Sequence, residues 1–165
     1  MDFHSVYVLL IEACIADAEM TIRELKRHHL ANNVIHLQDG EEALDFLFAT
    51  GKFAGRGENY TLPKIILLDI QLPKVNGMDV LKKIKADNRI NGTPVILLTS
   101  SGLDPDLHDC FELGASSYIV KPLNFERFTQ AIQNLGFFWL LLNQAPSKQS
   151  CEGDSTPLNE YYKGV

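Results

Sequence analysis

Four short apolar runs punctuate the chain: Val6-Tyr7-Val8-Leu9-Leu10-Ile11, Ile65-Ile66-Leu67-Leu68, Val95-Ile96-Leu97-Leu98 and Tyr118-Ile119-Val120. They are near-continuous rather than alternating, the pattern of strands covered on both faces. A weaker run, Val34-Ile35-His36-Leu37, alternates enough to be an edge strand. Between these runs apolar residues recur at helical spacing. Residues 17–30 carry Ala18, Ile22 and Leu25 on one stripe, and 41–50 carry Leu44, Leu47 and Phe48. Residues 77–85 carry Val80, Leu81 and Ile84, and 106–113 carry Leu107, Cys110 and Phe111. A last helix from about Asn124 places Phe125, Phe128, Ile132, Leu135 and Trp139 three and four apart.

Strand-helix alternation repeated five times predicts a doubly wound α/β domain, a parallel sheet with helices on both faces. The turn signals Asp39-Gly40, Asn76-Gly77 and Gly92-Thr93-Pro94 fall between elements. Residues 51–63, with Gly51, Gly55, Gly57 and Pro63, read as a longer loop before the central strand. From Gln144 onward Pro, Ser, Gly and charges dominate, so 144–165 is expected to be a disordered tail and 1–143 one folded domain. No internal repeat is present.

Composition narrows the setting. With 15 Lys+Arg against 21 Asp+Glu, the net charge of −6 repels phosphate backbones, so no nucleic-acid partner is expected. Cys14, Cys110 and Cys151 are odd in number and scattered, which fits a reducing cytoplasm rather than a disulfide framework or a zinc cluster. Met1-Asp2-Phe3-His4 does not open a signal peptide. The most apolar run, 135–142, is too short to span a bilayer, so no membrane partner is expected.

In open α/β sheets ligands bind at the carboxyl ends of the strands. Those ends carry Glu12-Ala13-Cys14, Asp69-Ile70-Gln71, Thr99-Ser100 and Lys121-Pro122. Each alone has a plain explanation as a cap, turn or solvated residue. Together they supply two carboxylates, a hydroxyl and an ammonium, a set suited to phosphoryl transfer onto a carboxylate. Asp69 is then the nucleophile, and Glu12, Asp69 and the backbone carbonyl near Gln71 would hold magnesium. Thr99 and Lys121 would take the remaining phosphoryl oxygens.

Rival chemistries fit less well. An aspartyl-phosphate hydrolase wants a general acid two residues beyond its nucleophile, where this chain has Gln71. A flavin or nucleotide site needs a Gly- or Ser/Thr-rich first turn, where Glu12-Ala13-Cys14-Ile15 offers an anion. Thr50-Gly51-Lys52 echoes a phosphate-binding loop without its upstream glycine or preceding strand. Adjacent His28 and His29 point to different sides of a helix and make a poor metal pair. Cys14 is expected to be a small buried thiol beside the acids.

Three segments in order carry a resemblance: Leu67-Leu68-Asp69-Ile70-Gln71-Leu72-Pro73-Lys74-Val75-Asn76-Gly77, Leu98-Thr99-Ser100-Ser101 and Tyr118-Ile119-Val120-Lys121-Pro122. The chain resembles the receiver domain of two-component response regulators over roughly residues 5–142. That resemblance implies a flavodoxin-like sheet of order 2-1-3-4-5 and a phosphoryl group passed from a histidine kinase to Asp69. It also implies Thr99 as the switch hydroxyl, Lys121 as the family's lysine and Tyr118 as the rotameric switch aromatic. The chain would then be a single-domain phosphorelay switch that reports by contact with another protein, not an enzyme beyond its own phosphotransfer and dephosphorylation. The long loop before the third strand and Phe137-Phe138-Trp139-Leu140 are most similar to regulators that partner phytochrome-type histidine kinases.

One position departs from the family pattern. Two acids usually follow the first strand, and here Glu12 is followed by Ala13. A lost carboxylate removes on the order of 4 kcal/mol of attraction for the ion before water compensates, so weakened magnesium binding is expected. The alternative reading is a pseudo-receiver that binds partners without phosphate control. Phe137, Phe138, Leu140 and Leu141 lie off the stripe of the last helix, which is therefore apolar nearly all round, so either the tail folds back over it or a second subunit covers it. A homodimer through this helix and the fourth-helix face is the expected arrangement, as the resemblance also implies.

Overall fold

The computed structural model describes residues 8–28, 33–57 and 61–133. Val6, Tyr7, His29, the apolar positions 135–142 and the 144–165 tail lie outside the described residues. Five strands, β1 (Val8–Ile11), β2 (Val34–Leu37), β3 (Ile65–Asp69), β4 (Val95–Thr99) and β5 (Ser117–Val120), pair in parallel in the order β2-β1-β3-β4-β5. Between and after them run α1 (Ile15–Arg27), α2 (Gly40–Phe48), α3 (Gly77–Ala86), α4 (Asp106–Glu112) and α5 (Phe125–Gln133). The doubly wound sheet with strand order 2-1-3-4-5 is as the sequence implies.

The apolar runs are continuous because both faces of the sheet are covered. Leu9, Ile11, Ile66, Leu68, Val95 and Leu97 point to one side, where they pack with Phe46, Leu47, Val80, Leu81, Ile84 and Cys110 of α2, α3 and α4. The alternate residues Val8, Leu10, Ile65, Leu67, Ile96 and Leu98 point the other way, onto Ala18, Leu25, Phe128 and Ile132 of α1 and α5. The period-two alternation of strand side chains thus feeds two cores from each run. Among the described residues no helix is long and apolar enough to cross a membrane.

Several local expectations change. β5 is not covered on both faces: only Ile119 is buried, and Tyr118 is 41% exposed, because β5 is the sheet's last strand. Phe111 is likewise half out of the core and meets Tyr118 edge-on, ring centroids 6.0 Å apart. α1 begins two residues before Asp17, and α2 stops at Phe48 because Ala49 turns left-handed (φ 52°). That turn lets the Thr50 N–H donate to the Asp45 carbonyl at 2.9 Å, satisfying a helix-end acceptor. The expected long loop contains a 3₁₀ helix, Gly51–Arg56. Gly51 makes it possible: its φ is +54°, and a Cβ there would lie 2.4 Å from Asp45 Oδ2. Arg56 then folds back, its guanidinium 3.7 Å above the Phe46 ring and bonded to the Phe46 and Thr61 carbonyls.

Candidate functional site

The carboxyl ends of β1, β3, β4 and β5 deliver Glu12, Asp69, Thr99 and Lys121. Glu12 follows β1, whose pairing with β2 is extended by the Glu12 N–H donating to the Leu37 carbonyl at 3.0 Å. His36 Nε2 donates to the Glu12 carbonyl at 2.7 Å. A carbonyl only accepts, so Nε2 carries the proton. Asp69 ends β3, and α3 starts directly against it: the Gly77 N–H donates to the Ile70 carbonyl at 3.1 Å. A Cβ on Gly77 would stand 2.4 Å from the Asp69 carbonyl oxygen, so only glycine lets α3 begin there. Asn76 caps that helix, its Oδ1 accepting from the Asp79 N–H at 2.9 Å. Lys121 is tied to β4 by its N–H donating to the Thr99 carbonyl at 2.8 Å. Arg127 bonds the carbonyls of Val120 and Pro122 on either side of it.

The Lys121 ammonium joins the acids. It lies 2.8 Å from Glu12 Oε2, 3.0 Å from Asp69 Oδ2 and 3.5 Å from Asp17 Oδ2. The other oxygens take backbone donors: Glu12 Oε1 from the Cys14 N–H at 3.1 Å and Asp69 Oδ1 from the Gln71 N–H at 2.9 Å. Glu12, Asp69 and Thr99 are all buried, with 1%, 4% and 2% of their surface exposed. Burial, followed by a hydrogen bond shared with Asp69 and that group's charge, pushes the Glu12 carboxyl up to about 7, against the pull of Lys121. Burial also opposes the Lys121 charge. Its hydrogen bonds and attraction to Glu12 and Asp69 win, and hold the ammonium above its ordinary value. A cleft of about 350 Å³ opens beside Lys121, lined by Asp17, Met20, Thr21, Ser100 and Leu123.

Asp69, Glu12 and Lys121 are therefore one cluster, with the Gln71 amide on Asp69. The Gln71 side chain is exposed. The Thr99 hydroxyl is bonded instead to the Ser101 carbonyl at 3.0 Å and Asp104 Oδ2 at 3.2 Å. Tyr118 faces outward beside Phe111. Two participants were not read from the sequence as site residues, Asp17 and Asp104. Asp17 lies in the first turn of α1, where an acid reads as a helix-start residue. The expected buried thiol is also corrected: Cys14 is exposed at the α1 start, and only its backbone N–H serves the site. His28 closes α1, within 3.3 Å of Glu24 Oε1 and stacked on Phe125 at 4.5 Å.

For a divalent cation the cluster supplies two hard carboxylates, Glu12 and Asp69, while Ala13 contributes only a methyl group. Among the described residues no group of three His, Cys, Asp or Glu is arranged around a metal position. Magnesium takes one or two carboxylates and fills its octahedron with water and phosphoryl oxygens, so the donor chemistry fits such an ion at the lower limit of its requirement.

The comparisons agree with this geometry. The model of the response regulator receiver domain matches residues 8–133. The probable methanogenesis regulatory protein FilR2 of Methanothrix harundinacea is 35% identical, covering 84% of this chain and 86% of that protein. The response regulator Rcp1 of Synechocystis is 34% identical over 81% of this chain and 88% of its own, and its Mn²⁺-bound crystal form superposes with a TM-score of 0.66. The bacteriophytochrome response regulator RtBRR, 39% identical, covers 94% of this chain and 90% of its own with a TM-score of 0.75. The buried Asp-Glu-Lys cluster at the strand ends of a 2-1-3-4-5 sheet thus sits within a known lineage, and the chain belongs to the response regulator receiver domain family.

Proposed function

We propose that Asp69 accepts a phosphoryl group from the phosphohistidine of a histidine kinase. One Asp69 carboxylate oxygen attacks phosphorus, an O–P bond forms, the N–P bond breaks and its electron pair returns to the imidazole. The observation that carries this reading is the Lys121 ammonium held at 3.0 Å from Asp69 Oδ2 in a buried strand-end site. A fixed cation there neutralises one oxygen of the phosphoryl group without reorganisation during transfer. Thr99, ending the neighbouring strand β4, supplies a hydroxyl to a second oxygen once it leaves its loop partners. Tyr118, exposed in this state, turns inward in the phosphorylated one, changing the α4–β5 surface that another protein reads. This is a population shift between two packings of one fold.

Magnesium would be held by Glu12, Asp69 and the backbone carbonyl near Gln71, and when bound supplies charge neutralisation for the phosphoryl oxygens. Ala13 leaves that site one acid short and weakens it. The likeness to RtBRR favours a phytochrome-type kinase as the donor. Residues 1–143 form the receiver domain, with 144–165 as a tail, in a cytoplasmic protein without nucleic-acid or membrane partners. A homodimer through the last helix and the α4 face agrees with the exposure of Phe111 and Tyr118. A monomeric mass at micromolar concentration contradicts that dimer.

The deciding experiment incubates the protein with phosphoramidate and Mg²⁺ and measures acid-labile phosphate. Uptake that disappears in Asp69→Asn supports the proposal. No uptake by the unaltered protein favours the pseudo-receiver, a contact module without phosphate control.

A further inference from the structure

The Thr99 hydroxyl is fully engaged by the loop that follows β4. Its oxygen accepts from the Ser101 N–H at 3.3 Å, and its single proton is shared between the Ser101 carbonyl at 3.0 Å and Asp104 Oδ2 at 3.2 Å. Of these two acceptors the carboxylate is the stronger. The second Asp104 oxygen, Oδ1, accepts from the Asp106 N–H at 2.9 Å, and the Asp104 carbonyl accepts from the Leu107 N–H at 3.2 Å. One half-buried carboxylate therefore links the end of β4 to the first turn of α4. That helix has seven residues and buries only Leu107 and Cys110, so few contacts other than this link fix its position.

We propose that Asp104 is the positioning residue of the switch: one of its oxygens holds the Thr99 hydroxyl off Asp69 while the other holds the start of α4, so the hydroxyl cannot leave without loosening that helix. The inference rests on the reading of Asp69 as phosphoacceptor. It adds the element that sets the resting position and the physical link from hydroxyl to output face. Capping alone does not require this arrangement. The Asp106 amide needs a single oxygen, which a serine would supply. The second oxygen on Thr99 is what makes Asp104 a link.

The test compares the full chain with Asp104→Ser, which keeps a capping oxygen but cannot bridge, and Asp104→Asn, which can still bridge without charge. The Thr99 side-chain rotamer, read from three-bond couplings of its methyl group without any phosphodonor, should become mixed in Asp104→Ser and less so in Asp104→Asn. Phosphoryl uptake from phosphoramidate should be faster by about three- to tenfold in Asp104→Ser, the equivalent of the net worth of one ordinary hydrogen bond. In a Thr99→Val background the same change should leave uptake within about twofold, because the hydroxyl it releases is gone. An unchanged Thr99 rotamer in Asp104→Ser overturns the proposal. So does an equal acceleration in the Thr99→Val background, which would mark a general loosening of the loop. If Asp104→Ser fails to fold, Asp104→Thr, which likewise caps without bridging, is read in its place by the same criterion. Absence of uptake by the unaltered protein overturns the phosphoacceptor reading, and the donor-free rotamer measurement still decides whether Asp104 anchors Thr99.

Discussion

Glu12 and Lys121 form a buried ion pair, Oε2 to Nζ 2.8 Å, in which the acid side chain is 1% exposed and the base 17%. The same ammonium serves Asp69, so a single cation stands between two carboxylates that would otherwise repel. Its raised pKa means that the ammonium stabilises the fold fully below its ordinary value of 10.5 and ceases to do so only as the pH rises past the higher, folded value.

Replacing Lys121 by Met leaves Glu12 and Asp69 facing each other without a counter-charge. At pH 8, above the value of about 7 that Glu12 has beside Lys121, the loss of stability is expected to be about 3 kcal/mol. At pH 5.5 Glu12 takes a proton and the loss shrinks. Urea denaturation at the two pH values checks this, and equal losses at both would mean that Lys121 acts through packing alone. Phosphoryl uptake is expected to fall by about a hundredfold.

A second prediction concerns Glu12 itself. Its carboxyl is pushed up to about 7 in the fold, against 4.5 when unfolded, so the native state binds more protons than the unfolded state between those values. The Glu12 contribution to stability is therefore full below pH 4.5 and declines as the pH rises to 7, by no more than about 3 kcal/mol. Glu12→Gln should flatten that part of the stability curve measured without divalent ions. A slope unchanged by the substitution would show that another group titrates there.

Most of this architecture was legible in the sequence because it rests on patterns that need no tertiary knowledge. Runs such as Ile65-Ile66-Leu67-Leu68 announce a strand covered twice, and the residue that follows, Asp69, then sits at the ligand-binding edge. The misses share a different cause. Phe46 lies off the α2 stripe yet is fully buried, because Arg56 and Phe53 return from a segment that reads as loop. Asp17 and Asp104 serve the site through groups brought to them by other elements or by a turn, Lys121 and Thr99. Neither acid carries a spacing that distinguishes it from a helix-start residue. Cys14 departs from the usual burial of a thiol because only its backbone N–H is required, and the side chain is left to solvent.

The missing acid at Ala13 makes a prediction about magnesium. Ala13→Asp adds a third carboxylate to Glu12 and Asp69, and Mg²⁺ should bind at least about tenfold more tightly by calorimetry. Because Glu12 must release its proton to serve as a ligand, affinity in the unaltered chain should rise as the pH passes about 7, with proton uptake by the buffer. Glu12→Gln should abolish that pH dependence. Equal Mg²⁺ affinities for Ala13→Asp and the unaltered protein would make the departure from the family pattern inconsequential.

Gly77 offers a test of how the nucleophile is held. A methyl group at this position would stand 2.4 Å from the Asp69 carbonyl oxygen and 2.8 Å from the Ile70 Cα, both backbone atoms that cannot rotate aside. Gly77→Ala must therefore move the start of α3 away from β3 or displace Asp69. The expected result is a loss of about 2–4 kcal/mol, with slower phosphoryl uptake as Asp69 shifts relative to Lys121. Gly92→Ala is the matched control. Nothing lies within 4 Å of the added carbon there, so stability should stay within about 0.5 kcal/mol and uptake should not change. If both substitutions cost the same, the loss is not specific to Gly77, and the close approach of α3 to Asp69 is not what holds the nucleophile, because removing glycine freedom from the unfolded chain by itself stabilises the fold.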